Sequence, residues 1–548
     1  MDRRNFIALC GHLSAITVLA RSASPASANN LTPAPATVAA PAPAEPAPPP
    51  PPAPPTPAPG PLAPTSAPFS EDWLQELART MASAPFDDSD LRLPDDLKSL
   101  NYDQYRSIRF LKDKAVWAND GVGLSLEMFQ SGYIYGNLVR VHLVENGVAT
   151  EFPYDPTLFT YGPDVKAPAP GSPGGYSGFR AHAPINRAGR LDEYVVFQGA
   201  SYFRSFASGQ EYGISARGLA VNTAQFPGEE FPLFRGFWVL KPKKGDERLT
   251  VFALLDSKSV TGVYKFVISH RVDTVMEIEA TLHSRLKIPF AGVAPLTSMF
   301  HSGPSDLTKY PDYRPQVFDS EGLQIWNGGG EHIWRPLINP ERLQFSSFSD
   351  ENPKGFGLII RDRQFTNYQD LQVRYEKRPS AWVEPIGDWG PGFVDLIELP
   401  TPTEYNDNIV AFWRPREPLE PGKTYRYAYR LYWCWDAPIR RNFAYVTQTR
   451  VASAGQPGWH SFHLDFANTG LYDFCVETEP CGDKLRNLQI SCTNGAIGRS
   501  YFQKNPITGG HRLSFDFRSK GVEQADIRCV LVENGVQASE IWTYRWTA

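Results

Sequence analysis

Cysteine is scarce in this 548-residue chain. There are six, and Cys10 lies in an N-terminal targeting segment. The five that remain, Cys434, Cys475, Cys481, Cys492 and Cys529, are odd in number, so they cannot all pair with one another. The last four could form up to two disulfides in an oxidising compartment. Cys475 and Cys481 lack CxxC spacing and no nearby His pair completes a zinc set, which weighs against a metal site. Basic charge is not in excess: the formal net charge is -5, so no electrostatic footprint for nucleic acid is present. Long hydrophobic runs are missing too. The apolar run that ends near Ala20 is too short to span a bilayer comfortably and contains His12. There is no GxSxG elbow, no HExxH, and no glycine loop set between a strand and a helix to cradle phosphate. These absences argue against a serine hydrolase, a zincin and a nucleotide enzyme. Nothing calls for a metal or an organic cofactor.

Aromatic residues are abundant: 13 Trp, 24 Tyr and 33 Phe make up 13% of the chain. Hydrophobic residues at 42% suffice for large cores, and the length suggests two or three domains. The N-terminus carries Arg3-Arg4 followed by Phe6, a modest apolar stretch, and Ala26-Ser27-Ala28. Paired arginines with an A-x-A site predict a twin-arginine export signal over residues 1–28, and hence a periplasmic mature protein. An ordinary secretory signal is the alternative. Residues 29–68 are dominated by Pro and Ala and cannot build a core, so an extended linker is expected there.

Beyond the linker, "SEDWLQELARTMA" predicts one clear helix, with Ser70 as its cap and Trp73, Leu74, Leu77 and Met81 on one face. Strand signals dominate thereafter. "RLTVFALLD", "GVYKFVIS" and "TYRYAYRLYW" are β-rich runs, and "LVENGV" occurs twice with an Asn-Gly pair that favours a hairpin turn. The expected architecture is all-β. A large β-sandwich over 69–436 is followed by a connection at 437–445 and an immunoglobulin-like β-sandwich over 446–548.

A dense band of acidic, aromatic and arginine residues lies between Ala294 and Pro415. In an exported acidic β protein such a band suggests carbohydrate. Glycoside hydrolysis needs one carboxyl to protonate the leaving oxygen and another to activate water or attack directly. The acid needs partial burial to hold its proton near neutral pH. Asp407 adjoins the apolar run Ile409–Trp413 and meets that need; Asp319, Glu384, Asp388 and Glu404 compete with it, and composition does not choose among them.

The motifs "APLTSMF", "DYRPQVFDSEGL", "IWRPLINP", "ENPKGFGL", "RYEKRPSAWVEP" and "NDNIVAFWRP" occur in order. In this the sequence resembles the osmoregulated periplasmic glucan biosynthesis family of G and D types, from about Phe69 to Trp546. The twin-arginine signal points to the D type; the Pro/Ala linker is not a general feature of the family. The resemblance implies a large sandwich of the galactose-mutarotase-like supersandwich kind, with a long cleft for β-1,2-glucan, joined to an immunoglobulin-like one. It implies anomer-inverting cleavage or transfer of that glucan. It further implies that Asp407 is the general acid, that Asp319 is a base acting through ordered waters, and that Tyr375 helps order those waters. Arg314, Arg378, Trp382, Glu384, Asp388 and Trp413 are the substrate-binding candidates. A different class of function, a non-catalytic glucan-binding factor that shapes backbone length, stands as the alternative. The oligomeric state is open in the sequence; an aromatic loop near Trp459 could reach a second copy's cleft in a homodimer.

Overall fold

The structure, a computed structural model, describes residues 66–89, 93, 95–172, 174–306, 312–469, 488–533 and 536–548. The export signal, nearly all of the Pro/Ala tract, Cys475 and Cys481 lie outside the described residues. Among the described cysteines, Cys434, Cys492 and Cys529 are free thiols.

The helix runs over Glu71–Ala82, and the Ser70 hydroxyl accepts the Trp73 amide at 3.2 Å. Its apolar face lays Trp73, Leu74, Leu77 and Met81 against Trp238, Phe252 and Val263. Ser66–Pro68, assigned to the linker by composition, pair antiparallel with Val148–Thr150 instead. That edge lies beside a tight hairpin in which Asn146 and Gly147 both take positive φ, at 51° and 78°. Two consecutive left-handed residues are what the favoured hairpin turn requires, and Asn-Gly supplies them at little steric cost.

Two sheets make the main sandwich. One has sixteen strands and includes, as consecutive neighbours, Arg248–Asp256, Val260–His270, Thr274–Ser284 and Thr424–Cys434. The other has ten and contains Ser125–Gln130, Tyr176–Ala183, Asp192–Gln198, Tyr202–Ser205, Ala291–Ser298 and Ile409–Pro415. Phe179, Phe197, Phe203 and Leu296 of the second sheet meet Phe237, Val251, Phe266 and Leu431 of the first in one continuous core. Each such side chain, fully buried, contributes about 1.5–3 kcal/mol.

The strand Ile409–Pro415 explains its own unbroken apolar run. Ile409, Ala411 and Trp413 face the main core, while Val410 and Phe412 pack outward against Ala220 and Ile397. A strand covered on both faces has no use for alternation.

A second core lies between a four-stranded sheet (Tyr445–Ser453, Trp459–Ala467, Ala496–Lys504 and His511–Arg518) and the far end of the sixteen-stranded one. The C-terminal strand Ile541–Thr547 pairs in parallel with His332–Pro336, matching Ile333 to Ile541 and Trp334 to Trp542. The C-terminal strands are therefore hydrogen-bonded directly onto the large sheet.

Candidate active site

The short run Ser298–Phe300 is the spine of the site. Asn408 donates its amide to the Ser298 carbonyl at 3.0 Å. Its side chain accepts from the Phe300 amide at 2.8 Å and donates to the carbonyls of Phe300 and Leu399 at 3.0 and 2.9 Å. On the other side of the run, the Asp319 amide donates to the Met299 carbonyl at 2.8 Å, and Phe318 pairs with Phe300. The hydroxyls of Ser298 and Ser320 meet at 2.7 Å. Asp407 and Asp319 are thus each fixed at or beside a residue bonded to the same three-residue stretch. They open into one concavity, lined by Arg204, Gly213, Met299, Asp319, Tyr375, Glu404, Tyr405 and Asp407.

Electrostatics separate the two carboxyls from ordinary surface acids. Burial pushes Asp407 up to about 6; Arg204, Arg217 and Arg378 pull against that, and the neighbouring Asp319 adds to it. Asp407 nonetheless keeps partial solvent contact. Burial likewise raises Asp319, with Arg378 the largest opposing influence. The Arg378 Nε stands 3.3 Å from Asp319 Oδ1, yet neither atom makes a well-formed hydrogen bond. The pair offsets charge and leaves that oxygen without a donor.

Tyr375 begins a short turn, Tyr375–Lys377, entered through Arg374 in the left-handed region at φ 54°. Its hydroxyl donates to Glu404 Oε2 at 3.2 Å, the oxygen that also receives Arg314 Nη2 at 2.6 Å. Arg314 is held in turn by Asp370 at 2.9 Å and Asp312 at 2.7 Å. Asp370 also takes the amides of Gln372 and Val373, which fixes the loop leading into Tyr375. Burial, then Glu404 and Asp319, drive the Tyr375 phenol well above its ordinary range, so it stays a donor.

Five of the sequence candidates therefore fall in one neighbourhood: Asp407, Asp319, Tyr375, Arg378 and, through Glu404, Arg314. Four do not. Trp382 is 1% exposed and packs in the second core, its ring over Gly355, where a Cβ would clash. Trp413 is fully buried in the main core beside Trp389 and over Gly392. Neither indole offers a face to a sugar, because the apolar surroundings that make these rings strand formers also enclose them. Glu384 is tied to Arg430 and the Tyr432 hydroxyl, both at 3.0 Å. Asp388 lies exposed in the loop between Ser380–Ile386 and Pro391–Glu398.

Arg204 escaped the sequence analysis. It lines the concavity from the strand Tyr202–Ser205 and donates Nε to Ser215 Oγ at 2.7 Å. The signal for it was local: an arginine next to Phe203 in a strand whose other face is core. One carboxyl that titrates at about 6, a second with an unengaged oxygen, and a phenol between charges make an arrangement able to give a proton and take one.

The sequence pattern of the family described as "Periplasmic glucan biosynthesis protein, MdoG" matches residues 69–546. The chain is 44% identical over 490 residues to "Glucans biosynthesis protein G" of Rhodopseudomonas palustris, covering 88% of this chain and 94% of the relative. It is equally similar, 44% over 490 residues with the same coverage, to the protein of that description from Bradyrhizobium diazoefficiens. A third, from Vibrio cholerae serotype O1, is 44% identical over 483 residues, covering 87% of each chain.

Proposed function

The chain belongs to the periplasmic glucan biosynthesis protein family, whose role is in glucan biosynthesis, and we propose that it acts there as an anomer-inverting enzyme on β-1,2-linked glucan. Asp407 gives a proton to the departing glycosidic oxygen. Asp319 takes one, through water, from the attacking hydroxyl. Tyr375, kept protonated and pointed by Glu404, orders the path between them. Arg378 and Arg204 hold the charge that Asp319 carries. If water attacks, the chain is shortened; if a sugar hydroxyl attacks and water is excluded, the glucan is transferred or cyclised.

The observation that carries this reading is the shared concavity of Asp407 and Asp319, with Asp407 raised to about 6. An acid tuned to that range is protonated for part of the time at neutral pH, as leaving-group protonation demands. The test is incubation of the purified protein with linear β-1,2-glucan, with chain length followed by chromatography and the new anomer by proton NMR at early times. Appearance of the α-anomer supports the proposal. An unchanged chain-length distribution after long incubation removes it. We also propose that residues 69–436 carry the glucan site and that 446–548 form an immunoglobulin-like sandwich built onto the large sheet.

A further inference from the structure

Toward the strand Ser125–Gln130, the ten-stranded sheet turns one face to the main core and carries Glu127, Arg180 and Arg204, with Val196 between the two arginines, on the other. Leu126, Met128, Phe179, Ala181, Phe197 and Phe203 take the core positions. Residues directly opposed across a ladder share a face. Glu127 opposes Arg180, Arg180 opposes Val196, and Val196 opposes Arg204. Arg204 bonds to Ser215, which opposes Thr297. This row leads away from the Asp407 concavity, which Arg204 lines, toward the strand Ser125–Gln130.

Its far end is built unlike a solvated surface. Arg180 is forked between Glu127, at 2.9 Å, and Glu193, at 2.7 Å. His182 Nε2 lies 3.8 Å from Glu127, and its Nδ1 is buried without a hydrogen-bond partner. Burial lowers the His182 pKa, so the ring is neutral near pH 7. Glu127 is 4% exposed, while Arg180 and Glu193 keep side-chain exposures of 27% and 25%. Arg180 donates, Glu193 accepts and the neutral His182 can do either; the partly open Arg180 and Glu193 match the hydroxyls of a sugar, which are donors and acceptors at once.

We propose that Glu127, Arg180, His182 and Glu193 form a distal sugar subsite, which engages glucan units remote from the bond that reacts. The proposal rests on the glucan reading given above. With strands ~4.8 Å apart, Arg180 sits on the order of 10 Å from Arg204 across two ladder steps. That is beyond the reach of a sugar ring seated at Asp407, so only longer chains span both places.

The experiment compares the full-length protein with its His182→Ala and Glu193→Gln variants, by calorimetric titration with short and long linear β-1,2-gluco-oligosaccharides. Thermal melts serve as the folding control. Wild type is expected to prefer long chains, and each variant to lose about tenfold of the long-over-short affinity ratio. A folded variant with the wild-type ratio overturns the subsite and makes the cluster a structural ion-pair network. A wild type that binds no β-1,2-glucan of any length overturns the functional reading itself, and the subsite with it. Glu193→Gln keeps the shape of the fork, so a His182→Ala variant that fails to fold does not remove the test.

Discussion

Asn408 and Asp319 grip the same backbone run from opposite sides: Asn408 holds Ser298 and Phe300, and the Asp319 amide holds Met299. The separation of the two carboxyls is thereby set by a rigid piece of backbone rather than by flexible side chains. Asn408→Ala should leave the amide and carbonyl of Phe300 and the carbonyl of Leu399 short of partners. The expected cost is at least roughly 3 kcal/mol of stability, read from urea midpoints, because three buried polar groups lose about 1–3 kcal/mol each. Turnover should fall further than affinity in whatever fraction folds.

Asp407→Asn preserves size and most polar contacts but removes the transferable proton. Turnover of linear β-1,2-glucan is expected to fall by about 10²–10⁴-fold, the usual range for a positioned acid. Affinity measured by calorimetry should stay within about threefold. Retained activity would reassign the acid.

The pH dependence follows from the raised pKa of Asp407, about 6 in the folded protein. The working form is protonated, so activity should fall as pH rises through about 6. The linked effect on stability has a definite sign. In the unfolded chain the same carboxyl titrates near about 3.9. Between those values the native state binds more protons, so this group's contribution to stability is full at low pH and is lost as pH rises toward 6. Denaturant midpoints at pH 4.5 and 7 should therefore differ less in Asp407→Asn than in wild type.

Arg378 lowers the pKa of both Asp319 and Asp407. Arg378→Ala should move both limbs of the pH–rate profile to higher pH while reducing the maximum. A shift in only one limb would separate Arg378 from the carboxyl that governs the other.

Trp382→Ala tests a placement rather than a mechanism. The ring sits in the second core beside Trp334 and Trp542. Its loss should cost about 3–5 kcal/mol, as for other buried large-to-small changes, and leave glucan affinity of the folded protein intact.

The fold was open to sequence reasoning where a local rule and the global answer coincide. The helix at Glu71–Ala82 shows its cap and stripe, and the first "LVENGV", at Leu143–Val148, shows its turn; the Asn-Gly pair of the second lies outside the described residues. Asp407 could be picked out as a carboxyl at the mouth of a buried strand, but only family register raised it above Glu404 and Asp319. Trp382 and Trp413 misled because an indole reads the same in a list of residues whether it faces a sugar or a core. What separates them is which side of the strand each occupies, and for a strand buried on both faces alternation carries no such information. Arg204 was hidden for the opposite reason. Its strand is four residues long, too short for a polar position to announce a pattern.

The parallel ladder between His332–Pro336 and Ile541–Thr547 has a mechanical meaning. Two sandwiches joined only by a tether swing and melt independently. Here a parallel ladder of two residue pairs ties the C-terminal strands into the large sheet, with Trp334 and Trp542 in a common core. Such a weld stiffens the joint against hinge bending. It also makes loss of the C-terminal strands expose an edge of His332–Pro336, the neighbour of Gly322–Trp326. Gly322–Trp326 begins just after Asp319, so the last residues of the chain help keep rigid the backbone on which the carboxyl stands.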